Sequence, residues 1–142
     1  MKVGIIGFGT YTPETRMDAS EIAERSGIPE QVIREKFGVL SKPVPGPEDT
    51  TSAMAIAASR RAVEMAGIDP GEIDVLIYNG GQHKDYLNWL AGLKIAHELG
   101  ADNAWSFDME AMCGSMMAAM EVARSMMVAN EEYRTVLLAS GY

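Results

Sequence analysis

Short β-type runs and helix-length apolar faces take turns along this chain, and that alternation limits its fold more than any other feature. Residues 3–7 (VGIIG) read as a short buried strand, closed by Gly9 and Pro13. Asp18 or Ser20 can cap a helix to about Arg25, with Gly27 as its stop. Ile28 and Pro29 restart a helix through about Phe37, with proline in its first turn. The stretch SKPVPGPED holds three prolines and a glycine, which demands an ordered loop or arm. Residues 50–66 carry a broad apolar face and end at Gly67. IDPGEID then turns the chain into a second strand, residues 75–78. The glycine-led loop GGQHKDY precedes a helix from about Asn88 to Leu99. Residues 104–108 read as a third strand, 114–129 as a helix and 135–140 as a fourth strand. Strands that alternate with helices predict an α/β fold, a mixed and mainly parallel sheet with helices on both faces.

At 142 residues the chain is one domain's worth, able to bury about two thirds of its unfolded surface. A formal net charge of -8, with no cluster of Lys or Arg, speaks against a nucleic-acid partner, because phosphate binding needs a positive patch. The single cysteine cannot form an internal disulfide, which fits a reducing cytoplasm. MKVGIIGFG is too short for a signal peptide's apolar region, and no other run approaches a membrane span.

Three motifs invite chemistry. GIIGFGTYTP resembles a dinucleotide-binding loop, but Thr12 stands where the third glycine belongs and Pro13 opposes the required helix, so a tight turn is the favoured reading. His83, His97 and Cys113 share no metal-ligand spacing, and no metal site is expected. His97 lies mid-helix and reads as structural. His83 falls in a loop at the C-terminal end of a strand, where open parallel sheets keep their ligands, although loop solvation is its default explanation.

Cys113 stands in SFDMEAMCGSMMAAMEVARSMM, at the junction of strand and helix. A lone cysteine in apolar company is ordinarily a small core residue. Here the free N–H groups of a helix start face it, which favours the thiolate, the attacking species. Gly114 and Ser115 follow and leave room beside the sulfur. The helix is apolar nearly all round, interrupted by Glu121 and Arg124 at a pairing distance, so it reads as a buried central helix. Met109, Met112, Met116, Met117 and Met120 surround the cysteine, as core filler or as a pliable wall around an acyl group.

The segments VGIIGFGTYTPETR, EKFGVLSKPVPGPEDTTSAMAIAASRRAVEMAGIDPGEIDVLIYNGG and LGADNAWSFDMEAMCGSMMAAMEVARSMM resemble the N-terminal half of the thiolase superfamily. The resemblance is nearest to β-ketoacyl-ACP synthase III and the archaeal type of HMG-CoA synthase, enzymes of fatty acid or polyketide and related biosynthesis. It implies a thiolase-like fold and an acyltransferase in which Cys113 takes an acyl group as a thioester. A carbanion from a second thioester then condenses with that acyl group to form a carbon–carbon bond. The substrates it implies are acyl-CoA or an acyl carrier protein, with no further cofactor.

By the same resemblance, residues 1–142 form one N-terminal half-domain. The second half, which brings a histidine and an asparagine or second histidine, lies outside the 142 residues. Gly81 stands where HMG-CoA synthases place a glutamate acid/base, with Gln82 and His83 next. Val32 and Leu40 replace the Trp and Arg with which synthase III grips the CoA adenine, while Lys42 remains as a cation. Tyr86, Leu87 and Trp89 can line an acyl tunnel or pack the helix onto the sheet. The family arrangement further implies a homodimer through the edge strand 104–108. The alternative to a self-sufficient enzyme is a half-site subunit that needs a partner chain, and the isolated chain is expected to be inactive in condensation.

Overall fold

A computed structural model describes residues 2–81 and 84–141. They form two compact units, residues 12–49 and the remainder.

In the smaller unit, β1 (Arg16–Asp18) pairs antiparallel with β2 (Ser41–Pro43), in register Met17 to Lys42. Between them run α1 (Ala19–Ser26) and α2 (Glu30–Glu35). Asp18 is the cap of α1, its carboxylate accepting from the Glu21 N–H at 2.9 Å and the Ser20 hydroxyl at 2.6 Å. Those two bonds hold its carboxyl below the ordinary value. The proline-rich arm thus contributes a strand, with Pro43 at its end, where a missing N–H costs no ladder bond.

The larger unit is built on three parallel strands in the order β4, β3, β5: β3 (Val75–Tyr78), β4 (Trp105–Asp108) and β5 (Val136–Ala139). All four residues of β3 are buried, as the central strand of a parallel sheet requires. Leu76 and Tyr78 face α3 (Thr51–Ala66) and α4 (Ala91–Leu99), packing with Ala55, Ile56 and Ile95. Val75 and Ile77 face α5 (Ser115–Ala129), packing with Ala119 and Ala123. The expected α/β arrangement with helices on both faces is present. Within this chain α5 buries one stripe, and Met117, Met120 and Val128 remain exposed on the other side.

The expected buried strand over residues 3–7 does not form. These residues join no ladder, and Ile5 and Ile6 are 76% and 65% exposed. The segment is held instead by backbone contact with α3. A Cβ on Gly7 would lie 2.5 Å from the Ala62 carbonyl oxygen, and one on Gly9 2.1 Å from that of Ala58. A guanidinium N–H of Arg61 also donates to the Thr10 carbonyl at 2.6 Å. A cavity of about 120 Å³ is lined by Gly4, Ile6 and Gly7 together with Thr135, Val136 and Leu137. Apolar content made the run look like a strand, but a strand needs an edge within hydrogen-bonding distance. The helix expected from Asn88 begins at Ala91, because Asn88 takes a left-handed φ of 51° that no helix start can include.

Candidate active site

The C-terminal ends of the three parallel strands lie on one side of the sheet, and two loops leave from it: residues 79–90 after β3 and residues 109–114 after β4. The second loop carries Cys113. It stands in a 3₁₀ turn, Met112–Gly114, immediately before α5, and it is exposed. Met112 adopts φ 53°, a left-handed conformation that costs a non-glycine residue about 1–2 kcal/mol. Such a turn persists only when its surroundings hold it, and Ser115 does so. Its buried hydroxyl accepts from the Ala111 N–H and donates to the Met112 carbonyl, each at 2.8 Å.

Gly114 is the N-cap of α5, with no side chain closing the helix end. A Cβ built on it meets nothing within 4 Å, so the space beside the cysteine is open, as its residue type suggested. Glu121 and Arg124 pair at 2.7 Å on the exposed side of α5. The hydrogen bond from Arg124 and its charge keep the Glu121 carboxyl below its ordinary value.

The first loop is fastened by two carboxylates that sequence reasoning did not single out. Asp85 reaches the start of α3, accepting from the Thr51 hydroxyl at 2.6 Å, the Thr50 hydroxyl at 3.1 Å, the Ser52 N–H and, more closely, the Ser52 hydroxyl. Burial pushes its carboxyl up, but the hydrogen bonds from Ser52, Thr51 and Thr50 outweigh that and hold it below the ordinary value. Asp108, at the end of β4, caps α4 through the N–H groups of Ala91 and Gly92 at 3.0 and 2.9 Å, and pairs with Lys84 at 2.8 Å. Neither carboxylate was legible in the sequence, because Asp85 serves a helix start 33 residues earlier and Asp108 one 17 residues earlier. Beneath them the Tyr78 hydroxyl donates to the Gly141 carbonyl at 3.2 Å, and burial raises its pKa.

The other candidate residues are scattered. His83 lies outside the described residues. Tyr86 is exposed and meets Trp89 edge-on at 5.3 Å between ring centroids. Trp89 packs against the core formed with α3 and α4 and carries the Lys94 ammonium 5.9 Å from its ring. Lys42 is exposed on β2, in the smaller unit. His97 is on the surface, 3.9 Å from Asp102. No group of three His, Cys, Asp or Glu able to hold a metal ion occurs among the described residues. No described helix is long and apolar enough to cross a membrane.

No family profile matches the chain. It is 36% identical over 119 residues to the β-ketoacyl-[acyl-carrier-protein] synthase III of Streptomyces lividans, covering 84% of this chain and 35% of that protein. It is 31% identical over 128 residues to the hydroxymethylglutaryl-CoA synthase of Archaeoglobus fulgidus, covering 89% of this chain and 37% of that protein. Among solved structures, the priming β-ketosynthase of the R1128 polyketide pathway superposes with a TM-score of 0.84 at 30% identity, over 99% of this chain and 44% of that one. Xanthomonas campestris OleA, solved with lauric acid and lauroyl-CoA, gives a TM-score of 0.86 at 23% identity and shares the fold. The chain therefore spans well under half the length of these relatives.

Proposed function

The chain belongs to the thiolase superfamily, as the N-terminal half of a condensing-enzyme fold, and on that premise we propose that it is the nucleophile-bearing half of an acyltransferase that acts through Cys113. The Cys113 thiolate attacks the carbonyl carbon of an acyl thioester. A new carbon–sulfur bond forms, and the CoA or carrier-protein thiolate leaves and takes up a proton. The enolate of a second thioester then attacks the acyl carbon, forms the carbon–carbon bond and returns Cys113 as thiolate. Splitting the reaction divides one difficult step into two easier ones.

The observation that supports this reading is the placement of Cys113. It is exposed, on a strained turn, at the open end of a 15-residue helix and at the C-terminal side of a parallel sheet. A core cysteine would be covered. Gly114 leaves space for the acyl group. Acyl-CoA and acyl carrier protein are the substrate classes, and the cytoplasm is the compartment that supplies them. The family resemblance further offers Tyr86 and Trp89, in the loop after β3, as contacts to the substrate. Condensation must stabilise a developing enolate or oxyanion, and losing one such donor costs about a hundredfold or more. Residues 1–142 alone are therefore expected to take an acyl group without condensing it.

A second reading, a half-site subunit completed by a partner chain, draws on the exposed apolar side of α5, where Met117 is 63% exposed. Mass spectrometry after mixing the protein with acyl-CoA or acyl carrier protein tests the proposal. One acyl group on Cys113, absent from Cys113→Ala, is the expected result. Acylation elsewhere, or with no thioester tried, overturns it.

A further inference from the structure

We infer that Asn79 is a positioning residue for the turn that presents Cys113, a role that rests on the acyl-transfer reading above. Asn79 directly follows β3, and its backbone N–H donates to the Ala139 carbonyl at 2.8 Å, so it still belongs to the ladder. Side chains alternate along a strand, which puts Asn79 in the row of Val75 and Ile77 under α5. That row is apolar against Ala123 and Ala119 and then ends in a carboxamide. The amide Nδ2 approaches the Met116 sulfur within 3.9 Å, in the first turn of α5 and three residues beyond Cys113.

The polarity is costly. Asn79 is 3% exposed, and its Oδ1 is buried without a hydrogen-bond donor. Turning the amide over exchanges oxygen and nitrogen, but a thioether can serve only one of them, so one buried polar atom stays unmet in either orientation. An apolar residue of the same shape would carry no such penalty. Among the described residues it is the one buried side-chain N or O atom left in this state. A group held against stability beneath the helix start that bears the nucleophile marks a working position rather than a packing one. Asn79 thus braces the first turn of α5 from below through Met116, while Ser115 closes it from within.

The test compares Asn79→Leu with Met116→Leu in the intact protein, reading native-state alkylation of Cys113 by iodoacetamide and the midpoint of thermal unfolding. The two readouts should move apart for Asn79→Leu. Its unfolding midpoint rises by about 4 °C, and its alkylation slows by roughly fivefold. Met116→Leu, which removes the sulfur and keeps the volume, slows alkylation in the same way. The double variant is no slower than either single, because both act through one contact. An Asn79→Leu protein that melts below wild type, or that alkylates at or above the wild-type rate, overturns the inference. Acylation of the wild-type protein is scored separately. If Cys113 alkylates as described yet takes no acyl group, the acyl-transfer reading falls while the bracing role of Asn79 stands.

Discussion

Ser115 Oγ accepts the backbone N–H of Ala111 at 2.8 Å, and this one buried hydroxyl closes the turn on which Cys113 is carried. It also donates to the Met112 carbonyl, so the left-handed residue of the turn is pinned on both sides. Replacing Ser115 by Ala removes both bonds and should lower stability by about 1 kcal/mol. The same change should slow acylation of Cys113, since the turn can then relax out of its strained form. Urea unfolding and the rate of acyl-adduct formation, measured on one preparation, check the pair. Unchanged acylation would show that Ser115 serves stability alone.

Gly114 separates space from strain. Its φ of -91° suits any residue, and a Cβ at this position would have no atom within 4 Å of it. Gly114→Ala should therefore unfold within about 0.5 kcal/mol of wild type. Its added methyl nevertheless enters the room beside the sulfur, and acylation by bulky thioesters should fall roughly tenfold, since small displacements at a reacting centre are costly. Kinetics with short and long acyl-CoA substrates distinguish a steric effect from a general one.

Asp85 should make stability depend on acid. Its carboxyl is held below the ordinary value, so the folded state favours the ionised form. The contribution is complete well above the unfolded aspartate value of about 3.9 and is lost as pH falls through the lower folded value. Asp85→Asn should therefore reduce stability near neutral pH by about 2 kcal/mol, a typical worth for hydrogen bonds to a charged group. The gap between wild type and variant should narrow as the pH falls below about 4. Denaturant titrations across that range measure it, and a gap that widens in acid contradicts the assignment.

The dimer proposal can be tested on the outer edge of β4. Trp105 and Met109 turn their N–H groups inward, to Asp74 and Tyr78 of the β3 side. By alternation the Ser106 N–H points away from the sheet, and β4 is an edge strand. Ser106→Pro removes a donor that the ladder to β3 does not use. If a second copy pairs with this edge, the variant should be monomeric at concentrations where wild type is dimeric, with its circular dichroism preserved. Sedimentation velocity reads the outcome. A wild-type monomer, or a dimer that survives the proline, would place any contact elsewhere.

Local chemistry made much of this legible in advance. The limits of β3 were readable because a four-residue apolar run between IDPGEID and a glycine pair admits little else. The end of α3 was readable from Gly67, and the open turn around Cys113 from its neighbours Gly114 and Ser115. Each of these depends on residues within one or two turns along the chain, where propensity and pattern decide.

The tertiary structure decided the rest. Residues 3–7 have the composition of a buried strand yet form no ladder with the open edge of β5, and composition cannot report how near a neighbour lies. Asp85 is an ordinary loop aspartate until α3, more than thirty residues earlier, brings its hydroxyls around it. Asn79 looks like the polar end of a strand, and only the packing of α5 above it turns its carboxamide into a buried and incompletely satisfied group. The sequence by itself determined where most helices and strands begin, because those free energies are local. Which polar groups are buried, and what they meet, was set by contacts between distant segments, whose free energy exists only once the chain has closed on itself.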